Sequence, residues 1–360
     1  MGGAERQALH LARYLKSRGH DVVMWSCILR DESGPVQQEC ARSGIPTASH
    51  RFLWPCRKSS LLRDSWRLLR ALRQEKPEVI LSYCTSPNVG MGLVWKFSTA
   101  KACFWGQRDI HSLHGDRMER LAYRRVSGVI CNATHEIEYL RQMLGEGKTP
   151  IRVIHNGLVP ATPELNRDAW REKLKVESDA ILAIMLAHFR PEKDHTTLLL
   201  AWQQVQQKRQ GQIPKAYLIL AGAPQTTFSE MQSQIETLGL QDTVRLAGQV
   251  QDVTGLLEAS DISLLISHHE GLSNSVLESM ASALPMLASD LSANREALGE
   301  ENNECFCPPG DNNVLATKLL RLIEDEQLRK DWGGRNQQRA KEHFSIEALG
   351  KNTLEFVCSL

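Results

Sequence analysis

Short β-rich segments alternate with longer helical patterns along most of this chain, and this alternation constrains the fold more than any other feature of the sequence. Residues 4–18 form the first amphipathic helical pattern, which ends at Gly19, and a strand pattern follows at residues 21–26. Further strand patterns fall at residues 78–82, 102–105, 128–131, 152–155, 180–186, 217–221, 244–246, 262–267 and 285–289. Because parallel strands are joined by crossover helices, this order predicts an α/β fold with parallel sheets covered by helices on both faces.

The length of the chain predicts two domains. A chain of 360 residues is long for a single hydrophobic core. Residues 156–163 (NGLVPATP) supply turn residues and helix breakers between two blocks of the alternating pattern. We therefore expect a first domain at residues 1–158 and a second at residues 159–341.

Composition and charge are typical of a soluble globular protein from a reducing compartment. Hydrophobic residues make up 42% of the chain, and no apolar run reaches the roughly 18–20 residues of a membrane helix. The nine cysteines occur singly except for Cys305 and Cys307, so we expect reduced thiols and a cytoplasmic protein. Residues 1–160 carry 24 Lys and Arg against 14 Asp and Glu, whereas the remainder carries 19 against 28. A basic first half suits an anionic partner, such as a phospholipid surface or a lipid-linked phosphate.

One segment carries a specific motif. Residues 262–296 (ISLLISHHEGLSNSVLESMASALPMLASDLSANRE) combine a strand, a Glu-Gly turn and a helix with a second Glu eight positions after the first. Matching segments occur in order elsewhere, at 1–22 (MGGAERQALHLARYLKSRGHDV), 155–158 (HNGL), 190–202 (RPEKDHTTLLLAW) and 246–261 (LAGQVQDVTGLLEASD). Together they resemble the retaining glycosyltransferase family 4, the glycosyl transferases group 1, over nearly the whole chain. The resemblance implies the GT-B fold of two facing Rossmann-like domains with a cleft between them, and a C-terminal helix within residues 342–360 that crosses back to the first domain.

Glu270 and Glu278 are the two glutamates of this signature. Ligands of open α/β sheets bind beyond the carboxyl ends of the strands, and a helix that begins near residues 273–274 would offer free N–H groups to a diphosphate. A carboxylate can accept two hydrogen bonds from a ribose diol. The resemblance assigns the diol to Glu278 and hydroxyls of the transferred sugar to Glu270. The alternative for Glu278 is favourable helix-dipole electrostatics alone. The same turn supplies further candidate donor-binding residues, whose small polar members suit helix capping: Gly271, Leu272, Ser273, Asn274 and Ser275.

Positive charge facing the leaving diphosphate is expected from the stretch LAHFRPEKDH at residues 186–195. Family members usually place an Arg five residues before a Lys here, and this chain has His188 and Lys193 at those places. The resemblance implies that Lys193 neutralises the β-phosphate and that His188 adds a weaker, pH-dependent charge, for which Arg190 could substitute. The alternative for Lys193 is a solvated surface lysine. We expect no metal and no cofactor besides the nucleotide sugar.

Two further regions gain a role only from the resemblance. Gln249 and Asp252 should lie along the nucleobase, which is contacted mainly through backbone groups. Gly3 and Gly2 match the glycine loop near the donor phosphates and the acceptor, where a missing side chain allows close approach. Family members have an apolar strand before this Met-Gly-Gly-Ala-Glu segment, and this sequence begins at that Met. The first domain is therefore expected to lack a central strand, which a start codon assigned too late would explain.

The first domain should hold the acceptor. Family members often carry a His after the strand near FWGQRDIH (residues 104–111), and Arg108 occupies the nearest matching place. Arg108 and His111 are therefore candidate catalytic and acceptor-binding residues, and a helix-capping or salt-bridge cluster is the alternative.

Residues 51–73 form a second feature of the first domain, with seven basic residues against one acid, Asp64. Leu61, Leu62, Trp66, Leu69 and Leu72 are interleaved with them. A helix of this composition is typical of a membrane interface and would fit a polyprenyl-linked saccharide acceptor. The alternative is an ordinary helix that covers the sheet and buries its Leu and Trp side chains. Nucleic acid is not an expected partner because no binding motif accompanies the basic half.

The sequence therefore predicts a metal-independent glycosyltransferase of lipopolysaccharide or other glycan synthesis, cytoplasmic or peripheral to the inner face of the membrane. Two alternatives stay open at this point. One is a sugar-nucleotide epimerase with the same fold. The other is a non-catalytic sugar-binding partner subunit, which the unusual His188 would suit.

Overall fold

The chain is an α/β protein in the computed structural model, which describes residues 2–27, 34–55, 58–108 and 113–360. The helices are α1 (Gly3–Ser17), α2 (Pro35–Arg42), α3 (Lys58–Glu75), α4 (Thr85–Val94), α5 (Arg117–Arg125), α6 (His135–Leu144), α7 (Arg167–Leu174), α8 (His195–Lys208), α9 (Phe228–Thr237), α10 (Val253–Glu258), α11 (Asn274–Ala281), α12 (Ser292–Leu298), α13 (Asn312–Glu324), α14 (Glu326–His343) and α15 (Ile346–Cys358). The strands are β1 (Met24–Ser26), β2 (Thr47–Ser49), β3 (Val79–Tyr83), β4 (Ala102–Gln107), β5 (Gly128–Cys131), β6 (Ile151–Val153), β7 (Ile181–Leu186), β8 (Ala216–Ala221), β9 (Val244–Gly248), β10 (Ile262–Leu265), β11 (Met286–Ser289) and β12 (Phe306–Cys307).

The chain divides into two compact units. Unit 1 comprises residues 1–159 together with residues 344–360, and unit 2 comprises residues 160–343. Each unit has buried apolar clusters of its own. The C-terminal helix α15 is therefore part of unit 1, although it follows unit 2 in the chain.

Unit 2 contains one parallel six-stranded sheet in the order β12-β11-β10-β7-β8-β9. Strands β7, β8, β10 and β11 are apolar along almost their whole length, and nearly every residue in them is buried. Continuous burial of this kind is expected when helices cover both faces of a parallel sheet. The strand order reverses direction between β7 and β10, which makes the carboxyl ends of these two strands the topological switch point.

Unit 1 contains a four-stranded parallel sheet, β3-β4-β5-β6, and a separate two-stranded parallel sheet, β1-β2. Helix α15 packs against α1, and the contact is close because Gly350 faces the ring of Tyr14. A Cβ at Gly350 would lie 2.1 Å from that ring, so any other residue there would displace the Tyr14 side chain. Asp116 begins α5 with a capping box in which its carboxylate accepts hydrogen bonds from the N–H groups of Met118 and Glu119.

The structure corrects the sequence-based elements mainly at their ends. The strand predicted at residues 21–26 is limited to Met24–Ser26, because its partner β2 is only three residues long. The strand predicted at 262–267 ends at Leu265. Two short strands, β2 and β12, were not predicted, because two or three residues are too few to show a period.

Candidate active site

Polar side chains collect at the switch point of the unit 2 sheet. The segment after β7 carries His188, Arg190 and Lys193, and the segment after β10 carries Glu270 and leads into α11. Because β7 and β10 are neighbouring parallel strands, both segments leave the sheet at the same edge. The fold thus brings together the main donor-site residues that the sequence predicts.

Lys193 and Glu270 form an ion pair between the two segments. The side chain of Lys193 is 17% exposed and that of Glu270 is 7% exposed. Backbone contacts hold the segments side by side, since Lys193 pairs with Ser267 in an antiparallel bridge and the N–H of Asp194 donates to Ile266 O at 3.0 Å. Lys193 is therefore not the solvated surface lysine of the alternative interpretation.

Helix α11 starts directly beyond this ion pair. Ser273 is its N-cap residue and has an extended backbone, but its hydroxyl lies 2.9 Å from the hydroxyl of Ser275 and does not cap the helix. The predicted side-chain cap at Ser273 is therefore wrong, and no acidic residue occupies the first turn. Gly271 and Asn274 are partly exposed in this turn, whereas Leu272 is buried. Glu278 lies half-buried one turn into the helix.

The ring of His188 is hydrogen-bonded to the segment that follows β8. Its Nδ1 accepts a hydrogen bond from the backbone N–H of Ala223 at 3.1 Å. A ring nitrogen that accepts a hydrogen bond carries no proton, so this geometry favours the neutral imidazole with its proton on Nε2. The weaker, pH-dependent charge expected at His188 stays a prediction, since this hydrogen bond describes only the neutral form of the imidazole. Arg190 remains a cation near the site, with its Nε donating to Gln225 and its Nη1 at 3.7 Å from Glu192.

Gln249 and Asp252 lie after β9, and they differ in exposure. The side chain of Gln249 is exposed. The carboxylate of Asp252 is buried and accepts hydrogen bonds from Trp170 Nε1 at 2.8 Å, from Leu165 N at 3.0 Å and from Gly255 N at 3.0 Å. The Asp252 side chain is thus committed to the start of α10, and the donor-binding prediction can apply only to its backbone.

His195 was missed by the sequence-based reasoning. It is buried two residues after Lys193, and its ring stacks on Phe189 with centroids 4.7 Å apart. Its Nδ1 lies 3.0 Å from Lys193 O, and because a carbonyl can only accept, Nδ1 carries the proton. Burial lowers the pKa of the imidazole to about 4, so His195 is neutral at physiological pH and positions the backbone of Lys193. No sequence signal separates such a histidine from a surface one, because its partner is a backbone carbonyl.

The candidate residues of unit 1 lie in different places. Gly2 is the N-cap of α1, and its N–H donates to Glu5 Oε2 at 2.7 Å, while Gly3 is the first helical residue. Arg108 follows β4, stacks its guanidinium over the Tyr83 ring at 4.7 Å and donates from Nη1 to Asn156 Oδ1 at 2.9 Å. His111 lies outside the described residues.

Other candidate chemistries gain no support from the described part of the chain. Within it, no group of three His, Cys, Asp or Glu side chains is placed to hold a metal ion. Burial raises the pKa of the Cys305 and Cys307 thiols to about 11, which disfavours the thiolate needed for metal binding or redox chemistry. Among the helices that the structure describes, none is long and apolar enough to cross a membrane.

Comparison with known proteins identifies the chain. Residues 1–161 match the family model for Glycosyltransferase Family 4, and residues 166–339 match the model for Glycosyl transferases group 1. The lipopolysaccharide core biosynthesis glycosyltransferase LpsE of Rhizobium meliloti is 26% identical over 99% of this chain and 96% of its own length. A galactosyltransferase of Escherichia coli, UDP-Gal:alpha-D-GlcNAc-diphosphoundecaprenol alpha-1,3-galactosyltransferase, is 21% identical over 91% of this chain and 86% of its own length.

Solved structures agree with the fold. The crystal structure of HepE from Anabaena in complex with UDP has a TM-score of 0.83 and 21% identity over 100% of this chain and 97% of that one. The lipopolysaccharide glycosyltransferase WaaG has a TM-score of 0.69 and 14% identity, over 98% and 95% of the two chains. Fold and family models together define a glycosyltransferase that uses a nucleotide sugar. The chain belongs to the glycosyl transferases group 1 and has the GT-B fold.

Proposed function

We propose that this enzyme transfers a sugar from a uridine diphosphate sugar to a saccharide of a lipopolysaccharide core or other lipid-linked glycan, with retention of configuration and without a metal ion. The observation that carries the proposal is the arrangement at the β7/β10 switch point, where Lys193 and Glu270 are paired directly before the N-terminus of α11. The names of the E. coli galactosyltransferase and of the HepE complex with UDP support the choice of uridine and of a lipid-linked acceptor.

Each residue of this arrangement has a defined part in the proposed reaction. The N–H groups at the start of α11 and the Lys193 ammonium hold the diphosphate, and both stabilise the negative charge that grows on it as the glycosidic bond breaks. Glu278 accepts hydrogen bonds from the ribose hydroxyls, and Glu270 accepts them from hydroxyls of the transferred sugar. The acceptor oxygen attacks from the side that the diphosphate leaves, and the departing diphosphate takes the proton of the acceptor hydroxyl. In this scheme unit 1 holds the acceptor.

Calorimetric titration of the purified protein with UDP-, GDP- and ADP-sugars tests the donor site. We expect selective binding of a UDP-sugar and a loss of about tenfold to hundredfold in affinity for Glu278→Ala, because hydrogen bonds to a charged group are worth about 1.5–3 kcal/mol. Glu258→Ala is the matched control, since Glu258 is an exposed helical glutamate away from the switch point. Equal affinities for all three nucleotides, or no effect of Glu278→Ala, would overturn the donor assignment.

The reaction itself is tested by product analysis. NMR spectroscopy of the product should show the same anomeric configuration as the donor, and addition of EDTA should leave the rate unchanged. Inversion would exclude the proposed same-side attack. A modified sugar nucleotide formed without any acceptor would identify an epimerase instead, and donor binding without any product would favour a non-catalytic partner subunit.

A further inference from the structure

Helix α3 carries two large apolar side chains on its outer face. Leu62 is 76% exposed and Trp66, one turn later, is 61% exposed. The opposite face of the same helix packs into unit 1 through Leu68 and Leu72, which are 0% and 2% exposed. The alternative of a helix that covers the sheet and buries its Leu and Trp side chains thus accounts for the inner face. It is wrong for Leu62 and Trp66. An isolated exposed leucine is ordinary, but a Leu–Trp pair on one turn is a surface feature that needs a partner.

Arginine side chains surround this pair. Arg67, Arg70 and Arg73 are exposed on the same helix, and the Arg70 guanidinium lies 5.8 Å from the Trp66 ring centroid. Helix α3 holds two acidic residues: Asp64 is buried and paired with Arg63 at 3.0 Å and with Arg67 at 3.7 Å, and Glu75 is the last residue of the helix. The outward charge of this face is therefore positive.

The same surface continues onto a neighbouring segment. Phe97, in the 3-10 turn Trp95–Phe97, is 57% exposed. The turn is tied to α3 because Arg73 Nε donates to Phe97 O at 3.1 Å. The Arg125 guanidinium stacks on the Phe97 ring at 5.0 Å and adds another cation beside an exposed aromatic. We call the set Leu62, Trp66, Arg67, Arg70, Arg73 and Phe97 the arginine–tryptophan surface.

We propose that the arginine–tryptophan surface binds the face of an anionic phospholipid bilayer. Exposed Leu, Trp and Phe side chains suit the boundary between headgroups and acyl chains, while arginines keep their charge at the phosphates and lay their aliphatic stems along apolar surface. Basic residues beside an anionic leaflet each strengthen attachment, so a one-sign patch is complementary to such a membrane. The same charge repels a second copy of this surface, which disfavours self-association here.

An in-plane orientation follows from the dimensions of α3. Its 18 residues span about 27 Å, and the exposed side chains occupy one side of it, so the helix lies along the membrane and does not enter it. The proposed lipid-linked acceptor explains only why attachment to a membrane would serve the enzyme. Attachment itself requires no acceptor and no nucleotide sugar.

Co-sedimentation with vesicles tests the proposal. The full chain is mixed with vesicles of phosphatidylcholine alone or with added phosphatidylglycerol, and the bound fraction gives a partition coefficient. We expect binding only with phosphatidylglycerol and release at about 1 M salt, where the screening length falls to about 3 Å. Arg67→Gln with Arg70→Gln should lower the partition coefficient about 25-fold, about fivefold for each charge. Leu62→Ser with Trp66→Ser should lower it by at least about tenfold.

Controls separate attachment from folding and from the donor site. Ile213→Ser removes an 87% exposed apolar side chain from unit 2 and should leave the partition coefficient unchanged. Each variant should keep its circular dichroism spectrum and its affinity for the nucleotide sugar, so a loss of vesicle binding alone concerns the surface. Equal binding to both kinds of vesicle would overturn the proposal, and so would unchanged binding by both double variants. A dimer that Trp66→Ser abolishes in analytical ultracentrifugation would assign the surface to a second copy instead.

Discussion

Lys193 and Glu270 are 77 positions apart in the chain, and they meet because β7 and β10 are neighbours in the unit 2 sheet. With side chains only 17% and 7% exposed, the two charges are largely removed from water and depend on each other. Removal of one partner from such a pair destabilises a protein by roughly 3–5 kcal/mol. A loss of activity in a single variant could therefore reflect unfolding as well as chemistry.

A double variant separates these two effects. We expect Lys193→Met to lower kcat by about 10²- to 10³-fold, because it removes the charge that we propose stabilises the departing diphosphate. Combining it with Glu270→Gln removes both charges, so the melting temperature should recover while kcat stays low. Differential scanning calorimetry and initial rates measure the two quantities. Full recovery of kcat in the double variant would show that Lys193 serves stability alone.

The identities of the site residues were easier to predict than the hydrogen-bond partners of their side chains. The spacing of Glu270 and Glu278 and the flanking segments are written in the sequence, so their positions could be predicted from the motif. The hydrogen bond from the Ala223 N–H to His188 Nδ1 could not be predicted, because the strand geometry sets the approach of that N–H group. The same holds for Asp252, whose carboxylate is occupied by groups from α7 and α10 and from Leu165.

At the scale of elements, helix α14 packs against the segment that follows the C-terminus of α11. Asn336 Nδ2 donates to Leu284 O at 2.8 Å, just beyond α11, and Gly333 lies against the carbonyl of Ala283. A Cβ added at Gly333 would lie 2.0 Å from that carbonyl oxygen. The backbone must shift to accept it, because the obstacle is main chain and not a flexible side chain.

Gly333 and Gly334 give a matched pair of substitutions in this helix. Gly333→Ala should destabilise the protein by about 1–3 kcal/mol, the usual range for overpacking. At Gly334 a Cβ would meet nothing within 4 Å, so Gly334→Ala should stabilise the protein by about 0.5–1 kcal/mol through its helix propensity alone. Urea denaturation measures both changes. Similar effects of the two substitutions would contradict the proposed close contact between α14 and the end of α11.

The alternation of strands and helices was predictable, and the element ends were less so. Strands such as β7 and β8 are buried apolar runs that stand out in the sequence, and both were predicted to within one residue of their observed ends. β2 and β12 are defined by the neighbour each pairs with, β1 and β11, and not by their own residues. The exposed face of α3 was left undecided by its sequence, since Leu and Trp at helical spacing fit a buried and an exposed face equally well.

At the scale of the whole molecule, stability depends on the protons that the folded and unfolded chains bind. Burial lowers the pKa of His10, His50 and His195, in the last case from 6.5 to about 4. Below pH 6.5 the unfolded chain therefore binds more protons than the folded one, and the free energy of unfolding falls as the pH falls. A second pH range in which stability falls lies lower. The hydrogen bond from Lys215 holds the pKa of Glu177 at about 2, so the stability that this carboxylate contributes is lost only below about pH 4.5.

The loss of stability between pH 6.5 and pH 4 can be assigned to His195. Between pH 6.5 and pH 4, His195 alone should give the free energy of unfolding a slope of up to about 1.4 kcal/mol per pH unit. Above pH 6.5 the slope vanishes, and the stability that is lost on acidification is fully present. His195→Gln should flatten the dependence of the free energy of unfolding on pH in this range, whatever its effect on stability at neutral pH, because glutamine takes up no proton on unfolding. His20→Gln is the control, since His20 is exposed and its removal opens no buried site. Urea denaturation at a series of pH values gives the slopes. An unchanged slope in His195→Gln would mean that the folded and unfolded chains protonate this imidazole over the same pH range, which would contradict the lowered pKa of His195.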